Sequence, residues 1–186
     1  MKRLPVLFAA FTVALLATPT VLAQEGSQAQ SLRADLKGLE EVPLVSTPGR
    51  AEFRARVIED ALGPGLEYTL KFENMQSDVT QAHIHLGKPL TNGGISIWLC
   101  GTAALPGPTG TPRCYPDDSL DKRNGEVTRV ARAADVIGPA GQGIAPGEFE
   151  EILAHIRRGR AYANIHTVQS PGGEIRGQIS PGGGGH

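Results

Sequence analysis

Residues 66–72, Leu-Glu-Tyr-Thr-Leu-Lys-Phe, alternate apolar and polar side chains without a break. Successive side chains of a β-strand point to opposite faces of the sheet, so this pattern predicts a strand with one face in a core and the other in solvent. The same alternation occurs at 32–36, Leu-Arg-Ala-Asp-Leu, and at 53–57, Phe-Arg-Ala-Arg-Val. Three half-buried strands in the first half of the chain indicate an all-β fold.

Turn-forming sequences separate the remaining strand candidates. Gly-Pro-Gly, Asn-Gly-Gly, Asn-Gly and Pro-Gly-Gly each favour a reversal of the backbone between two strands. The candidates that these turns separate lie at 79–86, 94–99, 126–132, 160–166 and 174–179. The chain is therefore expected to contain eight or nine short strands.

One segment, residues 146–158, has helical periodicity instead. Its apolar residues are Phe149, Ile152, Leu153 and Ile156, and Gly159 follows as a stop signal. Glutamates occupy the first turns and arginines the last, as the helix dipole favours. Many short strands with one short helix predict an antiparallel Greek-key β-sandwich, for example of the immunoglobulin-like type.

The first 23 residues have the composition of a secretory signal peptide. A basic start, Met-Lys-Arg, precedes an apolar run that ends in Val-Leu-Ala, an A-x-A-like cleavage site. The alternative is an uncleaved membrane anchor, although prolines and threonines interrupt the run. We therefore expect a secreted or periplasmic protein with a flexible lead-in at 24–31, one domain at 32–180 and a glycine-rich tail at 181–186.

The charge of the chain is nearly balanced. Lysine and arginine number 18 and aspartate and glutamate 19, which gives a formal net charge of −1. Because no basic block follows the signal peptide, nucleic acid is not expected as a partner. No second apolar segment follows either, so we expect no stable membrane insertion after cleavage. The expected partner is a protein or a small ligand of unknown identity.

Cys100 and Cys114 are the two cysteines of the chain. In an exported protein, such a pair predicts a disulfide, which here would close a loop rich in glycine, proline and threonine. A bridge across a loop of this length contributes on the order of 3 kcal/mol. The alternative, two thiolates on a metal ion, suits a reducing compartment better.

Three histidines are the leading candidates for a functional site. His83 and His85 stand one residue apart in residues 81–87, Gln-Ala-His-Ile-His-Leu-Gly, so a strand would point both imidazoles to one face. A third, His166, lies in the strand-like run 162–167, Tyr-Ala-Asn-Ile-His-Thr. Because apolar residues fill the opposite faces, we expect the imidazoles outside the sheet, open to solvent. Three such rings commonly hold a transition metal; the alternative is that they only satisfy nearby polar groups.

Polar residues near the third histidine are candidates to support such a site. Pairing of the last two strand candidates would bring Arg176 close to Asn164. Either Asn164 or Glu174 would then orient an imidazole N–H, since metal-bound histidines usually have such a partner. The alternative for Glu174 and Arg176 is a cross-strand ion pair on the sheet surface, which contributes little stability.

Four segments together resemble the CHRD domain family, which is named after the animal protein chordin and is widespread in exported microbial proteins. They are Leu-Lys-Gly-Leu-Glu-Glu-Val-Pro at 36–43, Ala-His-Ile-His-Leu-Gly at 82–87, Tyr-Ala-Asn-Ile-His-Thr at 162–167 and Gly-Gly-Glu-Ile-Arg-Gly-Gln-Ile at 172–179. Their order and spacing match over residues 32–180. The resemblance implies a single β domain but little about activity, since chordin uses its repeats in a binding protein.

A weaker resemblance links the histidine pattern to copper/zinc superoxide dismutase, which is itself an antiparallel β-sandwich. It implies a superoxide-dismutase-like fold, with copper held by His83, His85 and His166 and with Arg176 attracting an anionic substrate. That family also uses a fourth copper histidine and a zinc-binding loop. Here no histidine occurs between His85 and His155.

The expected function is an exported binding module without catalytic activity, with copper as the first and zinc as the second candidate metal. One alternative is a copper redox enzyme similar to superoxide dismutase. Another is an adhesion or matrix module in which the histidines are purely structural. Hydrolase and nucleotide chemistry have no support, because the sequence contains neither a Gly-x-Ser-x-Gly motif nor a phosphate-binding loop.

Overall fold

The computed structural model describes residues 31–117 and 121–182; the predicted signal peptide, the lead-in up to residue 30 and the tail from residue 183 lie outside this part. Nine strands occur in it: β1 (Ser31–Lys37), β2 (Arg50–Asp60), β3 (Gly63–Glu73), β4 (Val79–Leu86), β5 (Gly94–Cys100), β6 (Gly125–Ala131), β7 (Ala161–Thr167), β8 (Ile175–Gln178) and β9 (Ser180–Pro181). The strands extend slightly beyond the predicted domain, since β1 includes Ser31 and β9 includes Pro181.

The strands form one sheet in the order β5-β4-β7-β8-β1-β2-β3-β6, with β9 paired to β1. Every strand pairing is antiparallel. β1, β2 and β3 follow one another as neighbours in the sheet, and β8, which comes much later in the chain, lies between β7 and β1. The all-β prediction is confirmed.

The sheet curves back on itself around a single core. The Tyr68 hydroxyl in β3 donates a hydrogen bond of 2.7 Å to the carbonyl of Leu99 in β5, near the opposite end of the strand order. Ile97 of β5 also forms an isolated bridge with Val136, which follows β6. The two edges of the sheet therefore approach each other, and the sheet is nearly closed into a barrel or sandwich.

Alternation holds in the first strands and disappears in the middle of the sheet. Exposed and buried residues alternate strictly along β1. In β7, by contrast, every residue is buried, as are the last five residues of β4. A strand that is covered on both faces loses the alternating pattern. The outer face of β4 and β7 is therefore covered as well.

The helix lies in the connection between β6 and β7. α1 (Phe149–Arg157) buries the four apolar residues predicted from their spacing. It begins three residues later than the predicted segment because Gly147 has φ +88°, which a right-handed helix cannot contain. Short 3₁₀ helices occur at Gly38–Glu40, Ala133–Asp135 and Ala140–Gln142. Within the described residues, no helix has the length and apolar character needed to cross a membrane.

The predicted disulfide is confirmed. Cys100 at the end of β5 is bonded to Cys114, fourteen positions later. Both cysteines are completely buried. The amide of Gly101 donates to the carbonyl of Pro112, and the amide of Cys114 donates to the carbonyl of Gly101, so backbone hydrogen bonds close the same loop.

Candidate metal centre

Neighbouring strands bring the three predicted histidines together. In the register of β4 and β7, His83 lies opposite Asn164, His85 opposite Tyr162 and Gln81 opposite His166. All three imidazoles lie on the outer face of the sheet, because the residues between them in sequence belong to the core. Residues 83 and 166 are far apart along the chain, and the pairing of the strands makes them neighbours.

The ring nitrogens are close to one another. His83 Nδ1 lies 3.1 Å from His166 Nε2. One ligand atom from each of His83, His85 and His166 lies within 4.8 Å of the other two. Within the described residues, these three histidines form a group that could hold a metal ion.

The site is buried, and the expectation that the histidines face solvent is wrong. The exposed fraction is 1% for His83, 8% for His85 and 7% for His166. Trp98 of β5 contacts the His83 ring edge-on at 4.4 Å, and Tyr162 stacks on the His85 ring at 4.9 Å between centroids. These aromatic side chains and the loops beyond the sheet cover the outer face.

Backbone carbonyls set the tautomer of two imidazoles. His85 Nδ1 lies 2.9 Å from the carbonyl of Gly93, and His166 Nδ1 lies 2.9 Å from the carbonyl of Pro171. A carbonyl only accepts hydrogen bonds, so in each ring Nδ1 carries the proton. In a neutral imidazole the other nitrogen, Nε2, then keeps a free lone pair, which is the form that binds a metal.

The environment keeps all three imidazoles neutral. Burial lowers the pKa of His83 to about 2, with a further contribution from the two neighbouring histidines. Burial also lowers the pKa of His85, to about 4, although the hydrogen bond to the carbonyl of Gly93 raises it in part. The pKa of His166 is lowered by burial too, although the nearby Glu41 carboxylate works in the opposite direction. At neutral pH no proton competes with a metal ion for these rings.

Asn164 touches the cluster directly. Its side-chain oxygen lies 3.2 Å from His166 Nε2. Since that nitrogen carries a lone pair, the contact is a hydrogen bond when the amide is turned so that its NH₂ group faces the ring. Asn164 is 2% exposed. It therefore belongs to the buried polar layer around the histidines.

Glu174 lies in the same sheet region but contacts other groups. Its carboxylate accepts hydrogen bonds from the hydroxyls of Thr47 and Thr167, at 2.6 and 2.7 Å, and from the amide of Gln76, at 2.9 Å. These partners come from three separate parts of the chain. Glu174 thus ties loops together beside the site, and its described hydrogen bonds involve no imidazole.

Arg176 forms a buried ion pair with a residue that the sequence did not single out, Glu41. Nη2 and Nε of the guanidinium lie 2.7 and 2.8 Å from one carboxylate oxygen of Glu41. The same guanidinium donates to the carbonyl of Thr91 and to the side chain of Asn92, and it lies over the Tyr162 ring at 4.3 Å. Arg176 is 5% and Glu41 4% exposed. The surface ion pair considered for Arg176 is therefore replaced by a buried one.

A family model for the CHRD domain matches residues 32–179. This chain belongs to the CHRD domain family. Neither the curated proteins nor the solved structures contain a match to the chain. The matched segment includes all three histidines, the pair of Arg176 with Glu41, and the disulfide.

Glu41 could have been found from the sequence of the CHRD domain. It lies in the segment 36–43 that carries part of the family resemblance, next to Glu40 and before Pro43. An acidic residue inside a recognisable segment is a candidate partner for a buried cation elsewhere in the domain. What the sequence could not indicate is that this segment folds over the outer face of β7 and β8.

Proposed function

We propose that this CHRD domain is an exported, non-catalytic binding module that holds a transition-metal ion, with copper favoured over zinc, at His83, His85 and His166. The observation that carries the proposal is the fixed tautomer of two imidazoles. Both Nδ1–H groups are bound to backbone carbonyls, so the Nε2 atom of each ring carries a lone pair inside a buried cluster. His85 Nε2 has no hydrogen-bond partner, and His166 Nε2 lies 3.1 Å from His83 Nδ1 and 3.2 Å from the side-chain oxygen of Asn164. This is the arrangement in which backbone groups orient histidine ligands in metalloproteins.

The distance between two rings supports a shared ion. Two nitrogens bound to one copper or zinc ion at about 2.0–2.1 Å are about 2.9–3.4 Å apart when the angle at the metal is between tetrahedral and square. The 3.1 Å between His83 Nδ1 and His166 Nε2 lies within this range. The third ligand atom lies within 4.8 Å of them.

Unpaired buried atoms also favour a missing ligand. Buried polar atoms in proteins nearly always have a hydrogen-bond partner. Within the described residues, four buried side-chain atoms have none: His83 Nε2, His85 Nε2, Glu41 Oε1 and Ser96 Oγ. Three of these belong to the layer around the candidate site. A bound metal would provide His85 Nε2 with a partner and would use one nitrogen of His83.

Ligand chemistry leaves copper and zinc as candidates. Three imidazoles with an open position suit either ion, and no thiolate takes part because both cysteines form the disulfide. The similarity of the His-x-His strand to the copper side of superoxide dismutase places copper first. Export, as indicated by the signal-peptide sequence, agrees with the disulfide.

A copper redox enzyme is the second candidate, and Arg176 argues against it. In that function Arg176 would attract an anionic substrate towards the metal. Here its guanidinium is buried, its charge is opposed by Glu41, and its N–H groups are bound to Glu41, Thr91 and Asn92. A cation that is neutralised inside the protein exerts little long-range attraction. We therefore favour a module that stores or carries metal.

Metal retention tests the proposal. The mature protein is exposed to Cu(II) or Zn(II) and dialysed, and the bound metal is then quantified by inductively coupled plasma mass spectrometry. We expect one copper ion per chain in the wild type and less than a tenth of that in His83→Ala and His166→Ala. His155→Ala is the matched control, since this histidine lies on α1 outside the cluster. His85→Gln, with circular dichroism to verify folding, covers the case in which an alanine variant unfolds.

Three outcomes separate the candidate functions. Equal retention in the wild type and the cluster variants refutes the metal site and leaves the histidines structural, as an adhesion or matrix module would have them. Retained copper with superoxide consumption no faster than buffer supports the binding module. Retained copper with rapid superoxide consumption that Arg176→Ala abolishes supports the redox enzyme.

A separate measurement tests export. Mass spectrometry of the protein recovered from the expression host's periplasm or medium shows whether residues 1–23 are removed.

A further inference from the structure

A cavity of about 450 Å³ opens beside the end of β4, next to the candidate metal centre but separate from it. Its walls come from the loop after β4 and from the end of α1 with the residues that follow it. The basic side chains that line it are Lys88, His155, Arg158 and Arg160. Asn92 and Thr91 line it on the side of the metal centre. We call this cavity the basic pocket.

The positive charge of the basic pocket is not neutralised. No aspartate or glutamate lines the pocket. Among the described ion pairs, none involves Lys88, Arg158 or Arg160, whereas most other arginines in the domain have a carboxylate partner. Glu151, one helical turn before His155, lies 3.4 Å from its ring but does not line the pocket. Lys88, Arg158 and Arg160 thus line one concave surface with no carboxylate among the lining residues.

The end of the helix does not oppose an anion here. The carbonyl end of a helix carries partial negative charge, which would repel one. In α1 those carbonyls are occupied: His155 accepts hydrogen bonds from the amides of Arg158 and Arg160, Ile156 accepts from the amide of Gly159, and Ala154 accepts from the Arg158 guanidinium. The charged side chains, and not the backbone dipole, therefore dominate the potential in the pocket.

We propose that the basic pocket binds a small organic dianion, a phosphate monoester or a dicarboxylate. Arginine recognises phosphate and carboxylate through paired hydrogen bonds, and two arginines, Arg158 and Arg160, line the pocket. The floor at Leu86 and Gly87 offers surface for an organic group. A volume of this size is typical of sites for small molecules and exceeds what a single inorganic anion fills.

This site would also communicate with the metal centre. Thr91 and Asn92 line the pocket, and on the other side the same two residues hold Arg176 through the carbonyl of Thr91 and the side chain of Asn92. The next residue, Gly93, accepts the hydrogen bond from His85 Nδ1. A ligand that orders this loop would therefore stabilise the orientation of His85. The dianion site itself does not depend on any metal being bound.

Titrations followed by two-dimensional ¹⁵N NMR test the proposal on the metal-free protein, with phenyl phosphate and succinate as the probes. We expect saturable shifts of the amides of Gly87, Thr91 and Asn92 at low ionic strength, weakened by added salt. Arg160→Gln and Arg158→Gln are each expected to weaken binding about tenfold, the loss of one charge-assisted contact of about 1.4 kcal/mol. Arg33→Gln, which removes one exposed positive charge from β1, should leave the affinity within about twofold of the wild type.

The probes distinguish the two kinds of ligand. Binding of phenyl phosphate alone assigns the pocket to phosphate monoesters, binding of succinate alone assigns it to dicarboxylates, and binding of both supports a general dianion site. Shifts that are absent for both probes, or that Arg33→Gln weakens as much as Arg160→Gln, overturn the proposal. The same holds if a sulfated oligosaccharide binds while neither small probe does, because the surface would then recognise a polyanion.

Discussion

The buried ion pair of Glu41 with Arg176 makes a quantitative prediction. One oxygen of Glu41 accepts two hydrogen bonds from the guanidinium and a third, of 3.2 Å, from the amide of Val42. Glu41→Gln keeps the size and one carbonyl oxygen but removes the negative charge. Arg176 would then be a buried cation whose remaining partners are the carbonyl of Thr91, the side chain of Asn92 and an aromatic face.

The expected loss follows from typical energies of buried charges. Breaking a buried pair by removing one partner costs about 3–5 kcal/mol, because the other charge stays in the interior without compensation. The glutamine carbonyl can still accept one hydrogen bond, which returns about 1 kcal/mol. We therefore expect Glu41→Gln to lower the free energy of unfolding by about 2–4 kcal/mol. With a urea slope of about 2 kcal/mol per molar, the midpoint falls by about 1–2 M.

The assay is urea unfolding with the disulfide intact, followed by fluorescence of Trp98, the single tryptophan, and by circular dichroism. Arg50→Gln is the matched control. It breaks a pair with Glu73 of the same 2.7 Å distance, but the two side chains are 62% and 45% exposed. Such an exposed pair contributes about 0–1 kcal/mol.

Two results would refute this reasoning about the ion pair. One is a Glu41→Gln midpoint no lower than that of Arg50→Gln. The other concerns the double variant Glu41→Gln/Arg176→Met, which removes both charges and should be at least as stable as Glu41→Gln, since no isolated charge remains. The loss of stability in the double variant is compared with the sum of the losses in Glu41→Gln and Arg176→Met measured separately. If the two single losses simply add, the charges do not interact and their pairing does not stabilise the fold.

Three further predictions concern pH, the disulfide and a glycine. Because the pKa of His85 is lowered to about 4 in the folded domain from about 6.5 when unfolded, the contribution of His85 to stability is fully present above pH 6.5, and about 3 kcal/mol of it is lost as the pH drops to 4; His85→Gln should lose that part of the slope in urea midpoints measured against pH. Cys100→Ser/Cys114→Ser should lower the free energy of unfolding by about 3 kcal/mol, and an unchanged midpoint would contradict a stabilising bridge. Gly173→Ala should destabilise the domain by more than 1 kcal/mol, since Gly173 has φ +126° and the new Cβ would lie 2.6 Å from the buried carboxylate of Glu41. Gly172→Ala, which has open space around the new Cβ, should leave the thermal melting temperature nearly unchanged.

Local patterns in the sequence predict the strands, the helix and the disulfide. The alternation of β1 and β3 and the helical spacing of Phe149 and Ile152 are each read from residues a few positions apart. The two cysteines around a glycine- and proline-rich loop are fourteen positions apart, which is still local compared with the pairing of distant strands. Strand periodicity also predicts that His83 and His85 share one face of their strand, but the pairing of β4 with β7, which brings His166 to them, joins distant segments and is not contained in that pattern.

The burial of the site could not be predicted in the same way. Whether an outer face is covered depends on where loops from elsewhere in the chain come to lie. The segment around Glu41 and the loop that contains Asn92 both fold over the histidine face, and each is held by Arg176 on β8. Their sequences are typical of exposed loops. The sequence therefore indicates which residues form the site but not that they are enclosed.

The long sequence separation of these contacts governs when the site comes into existence. His83 and His166 are 83 residues apart, and Glu41 and Arg176 are 135 apart. While the polypeptide is still being made, its histidines are isolated side chains with no common geometry. The cluster forms only once β4 has paired with β7. If the domain holds copper, it acquires the ion in the compartment in which that pairing forms, and a chain that lacks β7 has no site to load because it lacks His166.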